Sequence, residues 1–162
     1  MTPRTLLFTA VSATLLLGCA YDLPRVEGTA SCTVGPCQVS VTVIRNDATG
    51  GCIVSEAEPG TLLIPGRNPS DPPNAINVVW NFAMGSAGYR FPDYPPPGDT
   101  VKGVEFKTPN QVFVQCGAIG ANGSQFQCVN QRDKGTYDYT INAIRIADGV
   151  ACEPLDPSVV NQ

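Results

Sequence analysis

Seven cysteines carry the clearest chemistry in this chain of 162 residues. Cys19 ends an apolar N-terminal segment, and the remaining six are Cys32, Cys37, Cys52, Cys116, Cys128 and Cys152. Thiols form disulfides, bind metals or act as nucleophiles, and the last two roles usually involve histidine. The sequence has no histidine and no Cys-x-x-Cys motif. Six cysteines in an exported chain therefore predict a disulfide framework rather than a metal or redox site.

Local turn signals favour one pairing among the 15 that six cysteines allow. Cys32 and Cys37 flank a tight turn at positions 34 and 35, and Cys116 and Cys128 flank a hairpin with Asn-Gly at positions 122 and 123. Cys52 and Cys152 are left, and a bond between them would tie an early strand to the C-terminal tail. The sequence alone leaves the other pairings open.

The other reactive side chains do not form a recognisable catalytic motif. A serine nucleophile would lack a histidine base, and the G-x-S-x-G elbow does not occur. Carboxylates such as Glu56 and Glu58 lie near turns, where acidic side chains commonly bond to the local backbone. The sequence predicts no catalytic residue, no cofactor and no bound metal. Calcium at residues 46–47 or 68–71 remains an alternative to ordinary turn capping.

The N-terminal segment has the pattern of an export signal. Arg4 is the only charged residue before Asp22, and residues 6–17 are mostly apolar. This stretch is too short to span a membrane as a helix. Leu16-Leu17-Gly18-Cys19 resembles the lipobox of bacterial lipoproteins. In that family the cysteine receives a diacylglycerol, and the signal peptide is then cleaved immediately before the cysteine. The alternative is an ordinary secretory signal.

The resemblance implies a lipoprotein signal peptide over residues 1–18 and lipidation of Cys19. Ala20 follows the cysteine, and in Gram-negative lipoproteins the absence of Asp there implies the outer membrane, facing the periplasm or the cell surface. Several acyl chains anchor a protein firmly, whereas one is marginal. Residues 19–31 lack periodicity and are predicted to be a lipidated tether. The 14 acidic side chains outnumber the 10 basic ones, so we expect no nucleic-acid partner.

Residues 32–162 are predicted to form a single all-β domain. Short segments with alternating or continuous apolar residues are separated by Gly-, Pro- and Asn-rich turns, and no convincing amphipathic helix is present. The strand candidates are residues 38–45, 52–55, 61–64, 74–82, 101–107, 111–116, 125–130 and 135–146. About eight strands in this pattern predict a disulfide-stapled antiparallel Greek-key sandwich. The tail from residue 152 to residue 162 is predicted to be irregular.

Two short motifs carry further resemblances. Asp133-Lys134-Gly135-Thr136-Tyr137 resembles the D-x-G-x-Y run of immunoglobulin-like domains, where the tyrosine forms a tyrosine corner and a tryptophan such as Trp80 lies in the core. Tyr139, however, stands where that family has its second sheet-bridging cysteine. A cupredoxin-like sandwich is the alternative, without its copper site because the histidine ligands are missing. Residues 155–161 resemble the Asp-Pro tail of uncharacterised small bacterial β-proteins, which implies no activity.

The segment over residues 89–97 is the main candidate for contact with a partner. Its aromatic and proline side chains are Tyr89, Phe91, Tyr94, Pro95, Pro96 and Pro97. They offer rigid contact area at low entropic cost, although they could instead close one end of the sandwich. The sequence thus predicts a non-enzymatic, outer-membrane-anchored binding or structural module that contacts an envelope protein or a glycan. The alternative is an inhibitor of a secreted hydrolase such as lysozyme, which the low pI of 4.6 would suit.

Overall fold

The computed structural model describes residues 25–26, 28–68, 70, 74–92, 101–109 and 111–162. The predicted signal peptide, Cys19, Tyr94 and residues 95–97 lie outside these described residues. The described part of the chain is all-β. None of it forms a helix long and apolar enough to cross a membrane.

The described residues contain thirteen strands and one 3-10 turn (Ala121–Gly123), joined by loops. In chain order the strands are β1 (Arg25–Val26), β2 (Thr29–Ser31), β3 (Cys37–Asn46), β4 (Gly51–Glu58), β5 (Thr61–Ile64), β6 (Ile76–Phe82), β7 (Tyr89–Arg90), β8 (Val104–Phe106), β9 (Phe113–Ile119), β10 (Gln125–Asn130), β11 (Gly135–Ile141), β12 (Ile144–Arg145) and β13 (Ser158–Asn161). Most of the longer strands match the sequence candidates closely, since alternating burial produces alternating hydropathy. The candidate over residues 135–146 is an exception, because it is divided into β11 and β12, and β12 pairs with β7 outside the two main sheets.

The strands form two main sheets that enclose the core. Sheet A has the order β1-β4-β3-β6-β10-β9, sheet B has the order β2-β5-β13-β11-β8, and β7 and β12 make a separate short pair. The predicted sandwich is present, but its sheets are mixed rather than purely antiparallel. β3 and β6 pair in parallel, as do β5 and β13. The β3–β6 pair is parallel because the chain leaves sheet A after β4, passes through sheet B as β5 and returns to sheet A at β6.

The C-terminal tail contains a central strand, so the prediction of an irregular tail is wrong. β13 lies between β5 and β11 in sheet B, and Val159 and Asn161 on it are buried. Four residues directly after a proline show too little alternation to be recognised as a strand. The tail therefore completes the sheet rather than trailing from it.

The two ends of the sandwich differ in construction. β3 and β6 run towards one end, where β4 and β10 begin. We call this the loop end, formed by residues 47–50, 83–88, 120–124 and 146–151. The opposite end, formed by residues 32–36, 65–68 and 131–134, is called the turn end. The Ile146 amide donates to the Gly88 carbonyl and joins two segments of the loop end. The amide of Phe91, which follows β7, donates to the Gly123 carbonyl and so connects β7 to a third segment.

Three disulfides join the cysteines of the described residues. They pair Cys32 with Cys37, Cys52 with Cys152 and Cys116 with Cys128, the pairing that the turn signals favour. The second bond joins β4 to the tail across a sequence separation of 100 residues. The third links the neighbouring strands β9 and β10. Two of the disulfides thus hold neighbouring segments together, and the Cys52–Cys152 bond attaches the C-terminal tail to β4.

Candidate interaction surface

The aromatic residues of segment 89–97 that the structure describes belong mainly to the core. Phe91 is completely buried, and its ring stacks on Phe82 at 4.2 Å between centroids. Gly103 packs so closely against Phe91 and Phe126 that a Cβ atom there would lie within 2.8 Å of Phe91. Tyr89 is half-buried. The prediction of Phe91 as a contact residue is therefore not supported, because non-local aromatic packing takes its ring into the sandwich.

Exposed apolar side chains are concentrated at the loop end instead. The large hydrophobic residues exposed among the described residues are Val34, Ile44, Met84, Val101, Ile119, Ile146 and Val150. All except Val34 lie in the loop end or in the strand ends and segments next to it. Met84 is fully exposed, and it borders a depression of about 350 Å³ lined by Phe82, Tyr89 and Gln125. The loop end is therefore the candidate interaction surface, with Met84 as its most exposed apolar side chain.

A buried serine holds the loop that displays Met84. The Ser86 hydroxyl is buried, accepts a hydrogen bond of 3.0 Å from the Val43 amide and lies 3.4 Å from the Val43 carbonyl, to which it donates. The Ser86 amide donates to Ala83, and its carbonyl accepts from Tyr89. These bonds fasten residues 83–88 to β3. Met84 is thus exposed on a fixed loop, and the serine has a structural role rather than that of a nucleophile.

Arg145 connects two further segments of the loop end. Its guanidinium donates to Asp148 at 2.7 and 2.9 Å and to the Gly50 carbonyl at 3.0 Å. These hydrogen bonds lower the pKa of Asp148 below its usual value. The turn after β12 is therefore tied to the turn between β3 and β4, which fixes the positions of Ile146 and Val150.

A tyrosine joins the two sheets through the core. The Trp80 indole on β6 donates to the Tyr139 hydroxyl on β11 at 3.2 Å, and the rings meet edge to face at 5.5 Å. Tyr139 thus bridges the sheets at the position where the immunoglobulin resemblance would place a cysteine. The Tyr137 hydroxyl donates to the Asp133 carbonyl at 2.9 Å, the hydrogen bond that the D-x-G-x-Y resemblance implies.

This burial of Tyr139 predicts a loss of stability in alkali. Burial raises the pKa of Tyr139 above its usual value near 10, because a buried phenolate would lose its hydration. Above about pH 10 the unfolded chain releases this proton while the native protein keeps it, so the free energy of unfolding should fall as the pH rises. Urea unfolding between pH 9 and 11 measures the slope, and Tyr139→Phe should make it shallower. The pKa of Tyr137 is also raised, so part of the slope should persist in Tyr139→Phe. If Tyr139→Phe leaves the whole slope unchanged, Tyr139 is not the group responsible for the loss of stability.

The carboxylates and amides considered for calcium binding or for catalysis occupy ordinary turn and strand positions where they are described. The Asn46 Oδ1 atom accepts hydrogen bonds from the amides of Ala48 and Thr49, which is ordinary turn capping. Glu56 is half-buried and Glu58 is exposed on β4. In the described ranges, no group of three His, Cys, Asp or Glu side chains is arranged to hold a metal ion.

A second concavity lies where β9, the last described strand of sheet A, meets β8, the last described strand of sheet B. It has a volume of about 480 Å³ and lies between β8 and β9, with Val104, Phe106 and Phe113 among its lining residues. The rings of Phe106 and Phe113, which line it, stack on each other at 4.1 Å between centroids. The two sheets are thus joined by aromatic contact at this edge.

The sequence could not have shown the loop-end surface. Met84 is a single apolar residue in a Gly-, Ala- and Ser-rich stretch, and Ile119 and Ile146 occur in strand-like patterns that suggest burial. Their exposure depends on where the strands end and on which loops meet. No protein-family model matches the chain, and no curated protein matches it.

Proposed function

We propose that this protein is a lipid-anchored, non-catalytic binding or structural module of the bacterial cell envelope. The acyl chains on Cys19 would hold it at the outer membrane, and the disulfide-stapled sandwich would contact an envelope protein or a glycan. The observation that carries this proposal is the rigid all-β sandwich, in which three disulfides and a buried serine hold the strands and loops in fixed positions. The lipobox resemblance supplies the anchor.

The charged groups of the described residues support a scaffold role. Lys107 on the segment after β8 pairs with Asp156 before β13 at 2.8 Å, and Thr140 also donates to Asp156 at 2.7 Å. These contacts lower the pKa of Asp156. Arg67 and Asp133 approach to 3.5 Å at the turn end. In each case the charge connects two segments of the sandwich, which favours a structural interpretation over acid–base chemistry.

Lipidation is tested by metabolic labelling with radioactive palmitate. The wild-type chain should incorporate label, and globomycin should cause the uncleaved precursor to accumulate. Cys19→Ser should abolish the labelling. A variant with both Cys32→Ser and Cys37→Ser should keep it, because its acceptor thiol is intact. Label that persists in Cys19→Ser would contradict the anchor.

Partner contact is tested by crosslinking in intact envelopes. Because Phe91 is a core residue, the sequence candidate is reduced to Tyr89, Tyr94 and residues 95–97. Of these, Tyr94 and residues 95–97 can be replaced by Ser and Gly without changing Phe91 or the neighbouring strand β7. The wild type should be crosslinked to an envelope protein or glycan, and this replacement should weaken the product. An unchanged set of products would exclude the segment as the contact.

A further inference from the structure

We infer that the loop end of the sandwich faces the membrane that carries the anchor and that Met84 enters the membrane interface. This inference rests on the proposed lipidation of Cys19. It goes further by assigning an orientation to the domain and a lipid contact to a named residue. Two features support it, the direction of β1 and the position of the exposed apolar groups, and the length of chain between Cys19 and β1 permits it.

The direction of β1 points back to the loop end. β4 starts at the loop end with Gly51 and runs away from it to Glu58. β1 pairs with β4 in parallel, with Arg25 opposite Glu56. β1 therefore also runs away from the loop end, and its first residue, Arg25, is the one nearer to that end.

Residues 25–26 and 29–31 of the predicted tether are strands that pair with β4 and β5, so only the residues before Arg25 can act as a tether. This shorter tether is long enough to reach the loop end and too short to place the membrane far beyond it. Six residue spacings separate Cys19 from Arg25, which span at most about 21 Å when fully extended. On β4, the five spacings from Glu56 back to Gly51 cover about 17 Å. Reach alone would also allow the turn end, so the direction of β1 and the chemistry of the two ends decide between them.

The loop end has the chemistry that a membrane interface accepts. Met84 is fully exposed on a loop that Ser86 fastens to β3, so its insertion needs no rearrangement. Transfer of such side chains out of water is favourable, and apolar groups at a membrane surface add to the affinity of acyl chains. Two arginines of this end, Arg45 and Arg145, are paired with carboxylates. At the turn end, Val34 is the one large apolar residue that the described chain exposes.

Site-specific tryptophans distinguish the two ends. Met84→Trp and Val34→Trp are matched because both positions are exposed, one at each end, and the native Trp80 is buried and gives a common background. Each full-length lipidated variant is reconstituted into vesicles of phosphatidylethanolamine and phosphatidylglycerol with brominated acyl chains. We expect the tryptophan at position 84 to shift to the blue and to be quenched several-fold more than the one at position 34.

Each other outcome overturns a specific statement. Variants that float with the vesicles but show no quenching at position 84 would refute the orientation while leaving the anchor intact. Stronger quenching at position 34 would place the turn end on the membrane. A blue shift that requires added envelope protein and does not occur with lipid alone would mean that a protein covers Met84 instead. Failure to float would refute the lipid anchor, and the orientation with it.

Discussion

Replacing Cys52 and Cys152 together by alanine should lower the free energy of unfolding by about 5 kcal/mol. The disulfide closes a loop with a sequence separation of 100 residues, and in the chain-entropy model a loop of about this length contributes about 4.7 kcal/mol. Both cysteines are buried, so alanine is preferred to serine because it adds no buried hydroxyl. A domain has about 5–15 kcal/mol of stability in total, and this one would lose much of it.

The Cys32–Cys37 disulfide provides the matched control. Its sequence separation is only 5 residues, for which the same model gives about 2 kcal/mol. Urea unfolding of both double-alanine variants, followed by Trp80 fluorescence, measures the two losses under equal conditions. Equal losses would show that strain or packing, rather than loop closure, determines the stabilisation.

Turn chemistry and strand periodicity explain most of what the sequence predicted. Asn122 and Gly123 both have positive φ angles of 56° and 69°, the conformation in which Asn-Gly is favoured, and they join β9 to β10. β5 occupies its predicted residues without change. Such features are local, because a few neighbouring residues specify the backbone conformation or the buried face.

The features that the sequence did not show depend on distant contacts. Phe91 appeared to belong to an exposed loop because tyrosines and prolines surround it, yet Phe82 and Phe126 enclose its ring. The parallel pairing of β3 with β6 depends on the path of the chain between them. The loop end likewise exists only because segments distant in sequence meet there, so its apolar character has no single sequence motif.

The alternating burial along two strands marks two asparagines as inward-facing residues. Asn130 shares the inward face of β10 with Phe126 and Cys128, and Asn161 shares that of β13 with Val159. A polar residue at an inward position needs a buried partner, since an unpaired amide in the core is costly. The sequence shows the position of each asparagine but not that they face one another across the two sheets.

Replacing Asn161 by leucine should lower the free energy of unfolding by about 3 kcal/mol. The two side-chain amides exchange hydrogen bonds of 2.9 and 3.1 Å between β10 and β13, and Asn161 also donates to the Asp133 carbonyl at 2.7 Å. Leucine has a similar size but leaves the amide of Asn130 buried without its partner. Each unsatisfied buried group costs about 1–3 kcal/mol, so the loss should approach that of a core truncation.

The double variant Asn130→Leu with Asn161→Leu separates hydrogen bonding from packing. When both buried amides become apolar, neither is left unsatisfied, and such paired replacements are often nearly neutral. The Arg132 amide and the Asp133 carbonyl still lose the asparagine side chains to which they are hydrogen-bonded. Both groups lie near the surface at the turn end, where water can take the place of the lost side chains. We therefore expect the double variant to be more stable than either single variant in urea unfolding. Additive losses would instead show that the asparagines stabilise the sandwich through packing alone and not as a hydrogen-bonded link between its sheets.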